Sequence, residues 1–250
     1  MLGSETIETI VEKASSELLT AMQHYSATLA AQGTRQGDGK NRDAGRRSEV
    51  TGGKQMDGFV KVFHRALVRL GLPEASVLME PRGKLHLPGF FRATKMWDLV
   101  VVHRGQLLAV LEAKSIASSF GNNLNNRTEE AIGSGKDFEV AFREKAFQSP
   151  TVPWAGYFFL LPDNAETNSP VKVNEPHFPV LSEFKGSSYA RRVEELCCRL
   201  VREKLYHCSC LVLARDFGSP RISPHYPSPD LAFAPFVRSL LAHCYVGLHA

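Results

Sequence analysis

Apolar residues in the first third of the chain recur every three or four positions, as they do on one face of an amphipathic helix. This spacing, which begins at Ile7, predicts an N-terminal helix over residues 1–32 that ends at Gly33. The same spacing predicts a second helix over residues 55–70. Residues 33–53 between them are rich in glycine, poor in apolar residues and basic, which predicts a flexible basic loop. This loop is either a solvated linker or an arm that becomes ordered on phosphate groups.

The middle of the chain changes to short, nearly continuous apolar runs, which are typical of β-strands buried on both faces. Two of them, residues 97–102 and 106–114, flank a turn at His103-Arg104-Gly105 and predict a β-hairpin. Strands and helices alternate through the chain, so the sequence predicts an α/β fold with a mixed central β-sheet flanked by helices. Further strands are predicted at residues 76–80, 84–87, 154–161 and 208–214, and further helices at 126–147, 187–205 and 230–246, the last interrupted near Pro235.

Three charged residues stand in the predicted hairpin, where an unpaired charge is costly. Side chains alternate along a strand, so Glu112 and Lys114 share one face. Asp98 on the other strand joins them only in one register. A three-residue turn places Asp98 opposite Glu112, whereas a two-residue turn sends it to the other face unless a bulge at Trp97-Asp98 corrects the pairing. We predict the first arrangement, within a core that spans residues 76–161.

Two carboxylates on adjacent strands form a hard-oxygen site suited to Mg²⁺, and the backbone carbonyl of Ala113 adds a third oxygen. Such an ion polarises a phosphoryl oxygen and lowers the pKa of a bound water. Lys114 beside it can orient the water and stabilise developing negative charge. Asp98, Glu112 and Lys114 therefore form a candidate catalytic set for hydrolysis of a phosphodiester. On the spacing alone, a structural ion pair between one acid and Lys114 explains the pattern equally well.

The segment after the second strand favours the catalytic interpretation. It reads SIASSFGNNLNNR and leads into the predicted helix at residue 126. Asn side chains can make two hydrogen bonds to adenine and Arg to guanine in the DNA major groove. The alternative is a turn whose amides cap the following helix. The candidate base-reading residues are Asn122, Asn123, Asn125, Asn126 and Arg127.

The chain from Leu87 to Phe147 resembles the XhoI family of type II restriction endonucleases, and the phrase SFGNNLNNRTEEAIGS is its most specific part. Shorter similar phrases are GGKQMDGF at 52–59 and LCCRLVREKLY at 196–206. The resemblance implies a PD-(D/E)xK nuclease fold with the motif at Asp98, Glu112 and Lys114. It also implies a homodimer that cuts double-stranded DNA with Mg²⁺ at the palindrome CTCGAG and leaves 5′ overhangs.

Other charged residues near this region have two interpretations each. Glu49 precedes the second helix and is a candidate for a further acid near the metal, or a first-turn acid that favours the helix dipole. Lys84, Arg92 and Lys95 precede the Asp98 strand and are candidates for phosphate contacts, or a solvated basic surface.

Composition and charge narrow the remaining choices. The net charge of +4 is too small to indicate a nucleic-acid partner by itself. No apolar run is long enough to cross a bilayer, and the N-terminus lacks a secretory signal. The odd count of five cysteines argues against a disulfide framework. We therefore expect a cytoplasmic bacterial protein without a membrane partner, encoded with a cognate DNA methyltransferase. A structure-selective repair nuclease and a non-catalytic DNA-binding protein are the alternatives.

Overall fold

A computed structural model describes residues 5–36, 44–80, 82–147 and 149–249, with the side chains of 30–36, 44–55 and 82 left out. Helices and strands alternate through most of this range, as predicted. In chain order they are α1 (Ile7–Gln36), α2 (Ala44–Arg69), β1 (Val77–Leu78), β2 (His86–Pro88), β3 (Thr94–Met96), β4 (Leu99–His103), β5 (Gln106–Ser115), α3 (Phe120–Arg143), β6 (Trp154–Pro162), α4 (Ala165–Asn168), α5 (Tyr189–Arg202), β7 (Cys208–Arg215), β8 (Ser223–His225) and α6 (Phe233–His249). None of the helices in these ranges has the length and apolar content needed to cross a bilayer.

Six strands form one mixed sheet in the order β1-β4-β5-β6-β7-β8. Strands β5, β6 and β7 are parallel, whereas β1, β4 and β8 pair antiparallel with their neighbours. Strands β2 and β3 form a separate hairpin. The predicted α/β fold with a mixed sheet is confirmed, and the sheet continues beyond residue 161 into β7 and β8.

Each face of the sheet packs on its own apolar core, which explains why the central strands are apolar throughout. Leu111 of β5 and Phe158 of β6 lie in the core shared with α1, α2 and α6. Val110 and Phe159 lie in the core shared with α3 and α5. Side chains at consecutive strand positions therefore enter opposite cores. The in-and-out alternation of side chains along β5 thus decides which set of helices a charged residue on that strand faces.

The predicted N-terminal helix is present, but the predicted loop at residues 33–53 is largely wrong. Helix α1 continues past Gly33 to Gln36, and α2 begins at Ala44. Adding a residue to an existing helix gains a hydrogen bond without a new nucleation cost, so a polar stretch can extend a well-packed helix. Residues 37–43 of the predicted loop lie outside the described residues.

Two other predicted helices differ at their starts. Helix α3 begins at Phe120, six residues before the predicted start, because Phe120 and Leu124 are buried one turn apart and fix its first turn against the sheet. Helix α6 is not interrupted at Pro235, which falls in its first turn where a missing backbone N–H has no cost.

The predicted strands at 76–80 and 84–87 do not pair across the turn between them. Strand β1 pairs with β4 in the main sheet, and β2 pairs with β3. The buried side chain of Val77 belongs to the main core, which separates β1 from the hairpin that follows it.

Candidate active site

The register of β4 and β5 brings Asp98 to Glu112 by a route that the sequence did not indicate. The turn has two residues, Arg104 and Gly105, both with positive φ (50° and 76°), and pairs His103 with Gln106. The pairing then shifts between Val101 and Val102. As a result, Leu99 pairs with Leu111, and Asp98, one position earlier, lies opposite Glu112.

The shift is a β-bulge at Leu108, which has no partner in β4 between Val101–Ala109 and Val102–Leu107. Leu108 and Ala109 both enter the core of α1, α2 and α6, so the alternation beyond them is reversed. The predicted placement of Asp98 opposite Glu112 is therefore confirmed, but the predicted three-residue turn is wrong. The turn has two residues, and a bulge at Leu108, not at Trp97-Asp98, restores the pairing.

Asp98 is held at the end of β4 by the neighbouring strand. Its Oδ2 accepts a hydrogen bond of 2.7 Å from the backbone N–H of Ala113. Burial, reinforced by the negative charge of Glu112, raises the pKa of Asp98 to about 6. Asp98 is thus ionised above that pH, at an energetic cost that a bound cation would relieve.

Glu112 is almost completely buried and lies between two ammonium groups. Lys114 Nζ is 2.6 Å from its Oε1, and Lys95 Nζ is 2.8 Å from its Oε2. Burial alone would raise the pKa of Glu112, but Lys114 and Lys95 outweigh it and lower the pKa. Burial would likewise lower the pKa of Lys114, but Glu112 and Asp98 raise it. We call Asp98, Glu112, Lys114 and Lys95 the charged cluster.

Lys95 is a member of this cluster that sequence reasoning assigned to phosphate contacts. It lies on β3, outside the main sheet, and its ammonium is 4.7 Å from the centre of the Trp97 ring. The β2–β3 hairpin brings it over the end of β5. Strands of three residues carry too weak a pattern to be paired from sequence, which is why this contact was missed.

The other predicted basic and acidic residues lie elsewhere. Lys84 is exposed, and Arg92 Nε forms an ion pair of 3.1 Å with the buried Asp137 of α3. Glu49 lies in α2, but its side chain is outside the described residues, so its role near the metal stays a prediction.

The asparagine-rich segment forms the first two turns of α3 and not a loop before the helix. Asn122, Asn125 and Asn126 are exposed there, so they are free to meet a ligand. Asn123 instead donates a hydrogen bond of 2.7 Å from Nδ2 to the carbonyl of Ser118. Arg127 Nη1 forms an ion pair of 2.6 Å with Glu130.

The donor set fits a hard divalent cation. Burial and, after it, repulsion by Glu112 raise the pKa of Asp98, and the Ala113 peptide lies beside this carboxylate. In the described part of the chain no group of three or more His, Cys, Asp or Glu side chains is arranged to hold a metal. Mg²⁺ commonly uses only one or two carboxylates together with water and substrate phosphates, so two acids suffice.

The mixed sheet, with Asp98 directly before β4 and Glu112 and Lys114 on β5, agrees with the predicted PD-(D/E)xK restriction-endonuclease-like fold. Comparison with known proteins gives the particular family. A sequence profile of the restriction endonuclease XhoI family matches residues 35–221, so the chain belongs to the XhoI family of restriction endonucleases. The resemblance stated from its motifs is confirmed.

Curated relatives agree with this assignment. The type II restriction enzyme BstVI of Geobacillus stearothermophilus is 48% identical over 215 residues, which cover 84% of this chain and 94% of that protein. The type II restriction enzyme XhoI of Xanthomonas vasicola is 42% identical over 165 residues, which are 66% of each chain. AbrI of Azospirillum brasilense is 44% identical over 126 residues, or 50% of this chain and 56% of that one. No solved structure has a significant match to the chain.

Proposed function

We propose that the chain is a Mg²⁺-dependent type II restriction endonuclease that hydrolyses a phosphodiester in each strand of a palindromic DNA site. The observation that carries this proposal is the convergence of Asp98, Glu112 and Lys114 at one end of a hairpin in a member of a restriction endonuclease family. A structural ion pair alone would not need Asp98, whose burial beside Glu112 is unfavourable when both are ionised.

The proposed site would hold the metal through the carboxylates of Asp98 and Glu112 and the carbonyl of Ala113. Bound Mg²⁺ would supply Lewis acidity to a phosphoryl oxygen and to the attacking water. Lys114 has a raised pKa and therefore stays protonated near neutral pH. Its ammonium thus acts as a hydrogen-bond donor and a positive charge near the reacting phosphate, and not as the base that accepts a proton from water.

Recognition of DNA is proposed for the first two turns of α3. Helix α3 follows β5 after a short connection, so its start lies next in the chain to the strand that carries Glu112 and Lys114. Asn122, Asn125 and Asn126 expose both donors and acceptors there, as base-edge readers must. Asn123 is bonded to the backbone and is assigned to holding this start in place.

The finer details of the function are proposed from the family resemblance. We propose the family target CTCGAG with cleavage that leaves 5′ overhangs, and a homodimer whose two-fold symmetry matches that of the palindrome. Cleavage of such sites in a bacterial cytoplasm requires protection of the host genome. We therefore propose a cognate DNA methyltransferase as a genetic partner.

Digestion of one sequenced, unmethylated plasmid with and without Mg²⁺ tests the proposal. Discrete fragments whose ends map to a six-base palindrome are the expected result. Preference for branched substrates would replace the proposal with a structure-selective repair nuclease, and binding without cutting would indicate a DNA-binding protein. Lys114→Ala should lose cleavage by at least about a hundredfold while it still binds DNA, because the ammonium acts on the reacting phosphate.

A further inference from the structure

Two large apolar side chains are exposed together at the tip of the β2–β3 hairpin. Phe90 is 52% exposed and Phe91 is 67% exposed, and their rings meet edge to face with centroids 5.0 Å apart. Exposure of two adjacent phenylalanines is unfavourable in water, and neither ring contributes to the cores of the described chain. Packing within this chain therefore does not account for them.

The tip is rigidly built. The buried carboxylate of Asp137 on α3 accepts hydrogen bonds from the backbone N–H groups of Phe90 (2.8 Å) and Phe91 (2.7 Å). Its other oxygen forms the ion pair with Arg92. Gly89 is required next to it, since a Cβ there would lie 2.6 Å from Asp137 Oδ2 and 2.7 Å from the Arg92 carbonyl oxygen. The buried Asp137 carboxylate therefore holds the backbone that carries the two exposed rings.

The tip belongs to the same hairpin as the charged cluster. Lys95 on β3 contacts Glu112, and it follows Phe91 by four positions in the chain. Residues 82–96 include Arg82, Lys84, Arg92 and Lys95 but no Asp or Glu, so the segment itself is basic. Asp137 and Glu112 pair with Arg92 and Lys95, whereas Lys84 is exposed to a partner. These charges favour a polyanion over a second copy of the same basic hairpin as the partner of the tip.

We propose that the tip formed by Gly89–Arg92 inserts an aromatic ring against the base pairs of bound DNA, beside the phosphodiester that is cut. Insertion of an apolar side chain between base steps unstacks them and bends the duplex, which would bring the scissile bond towards Glu112. Phe91 is the inserted ring because it is the more exposed of the two, and Phe90 supports it from the side. This inference rests on the proposed function, since it requires duplex DNA as the ligand.

Fluorescence of 2-aminopurine tests the insertion. The probe is placed at each position within and next to the mapped cleavage site, in a Lys114→Ala background that leaves the DNA intact. Binding of the otherwise unchanged protein should raise the fluorescence severalfold at one step, because the base there loses its stacking partner. Phe91→Ala should abolish this rise and weaken binding by roughly tenfold, and Phe91→Trp should retain the rise. Phe178→Ala, which removes an 83% exposed ring from another segment, is the matched control and should change nothing.

Thermal denaturation should give unchanged melting temperatures for both alanine variants, because the rings they remove are exposed. An undiminished fluorescence rise with Phe91→Ala would overturn the proposal. A loss of dimers in sedimentation of Phe91→Ala without DNA would also overturn it and assign the tip to contact between copies. Failure of the wild-type protein to cut the plasmid would instead refute the proposed function, and the insertion with it.

Discussion

At the scale of single residues, the charged cluster combines two acids with opposite protonation tendencies. Asp98 is accompanied by one backbone N–H and a nearby carboxylate, whereas Glu112 is accompanied by two ammonium groups. Burial therefore raises the pKa of Asp98. At Glu112 the two lysines outweigh burial and lower the pKa. Glu112 carries its charge over the whole neutral range, and Asp98 is the acid whose charge depends on pH.

Replacement of Asp98 by Asn should stabilise the metal-free protein at pH 8. The folded protein holds a proton at Asp98 more tightly than the unfolded chain does, because its pKa is about 6 instead of 3.8. The free energy of unfolding therefore falls as pH rises from about 4 to about 6, by about 3 kcal/mol at 1.4 kcal/mol per pKa unit, and stays lower above that range. Asn lacks this charge and can still accept from the Ala113 N–H.

Thermal denaturation in EDTA at pH 5 and pH 8 measures the effect. The variant should melt several degrees higher than the wild type at pH 8, and the gap should narrow at pH 5. An equal or lower melting temperature at pH 8 would show that the ionised Asp98 does not destabilise the fold.

Replacement of Lys95 by Met should tighten binding of Mg²⁺ to the protein without DNA. The Lys95 ammonium occupies Glu112 Oε2 at 2.8 Å and competes with a cation for that carboxylate. We expect the dissociation constant to fall by roughly tenfold, equivalent to about 1.4 kcal/mol. Isothermal titration calorimetry measures it, and Lys84→Met, an exposed lysine of the same basic segment, is the control. Equal affinities for wild type and Lys95→Met would contradict the competition.

At the scale of secondary-structure elements, α3 connects the parts of the proposed site. Its first two turns expose the asparagines, and its buried face packs on the sheet through Phe120 and Leu124. About three turns further along, Asp137 holds the tip of the β2–β3 hairpin. The position of α3 therefore sets the position of both the asparagines and the tip.

Two glycines of α3 give a matched test of how closely it packs. A Cβ at Gly135 would lie 2.9 Å from Leu205 Cβ and 2.9 Å from a ring carbon of Tyr206, whereas one at Gly133 would meet only Arg92 Nη2 at 3.7 Å. Gly135→Ala should therefore destabilise the protein by about 1–3 kcal/mol through overpacking. Gly133→Ala should stabilise it by about 0.5–1 kcal/mol through helix propensity. Denaturant unfolding measures both, and stabilisation by Gly135→Ala would refute this packing.

The sequence predicts elements better than their contacts. The long apolar runs and the D…ExK spacing were sufficient to predict the hairpin and the meeting of Asp98 with Glu112. The bulge at Leu108 could not be predicted, because the residues next to it are also apolar. Either neighbour of Leu108 could equally have been the unpaired residue. The predicted start of α3 at residue 126 is six residues too late, because the burial of Phe120 and Leu124 overrides the low helix propensity of asparagine. Lys95 reaches Glu112 only through a tertiary contact between two hairpins.

At the scale of the whole molecule, the described part of the chain contains one charged cluster of this kind, whereas a break in duplex DNA needs two hydrolysed strands. In the proposed homodimer on a palindrome, each subunit would cut one strand. Glu112 and Lys114 come from the same strand, and Asp98 comes from its hairpin partner, so each subunit brings a complete proposed site. Inactivation of one subunit should therefore leave the other site intact.

Mixed dimers of wild-type and Lys114→Ala subunits, purified by two different affinity tags, should convert supercoiled plasmid to open circles with one nick per site. Their nicking rate should be about that of one wild-type subunit, since each site acts on its own strand. Wild-type dimers should give linear DNA and doubly substituted dimers no cleavage, and gel electrophoresis separates the three forms. Nicks that map to the scissile bonds of the wild-type enzyme would support one site per strand. Linear product from dimers that hold a single Lys114 would mean that one site cuts both strands, and the proposed division of labour would then be wrong.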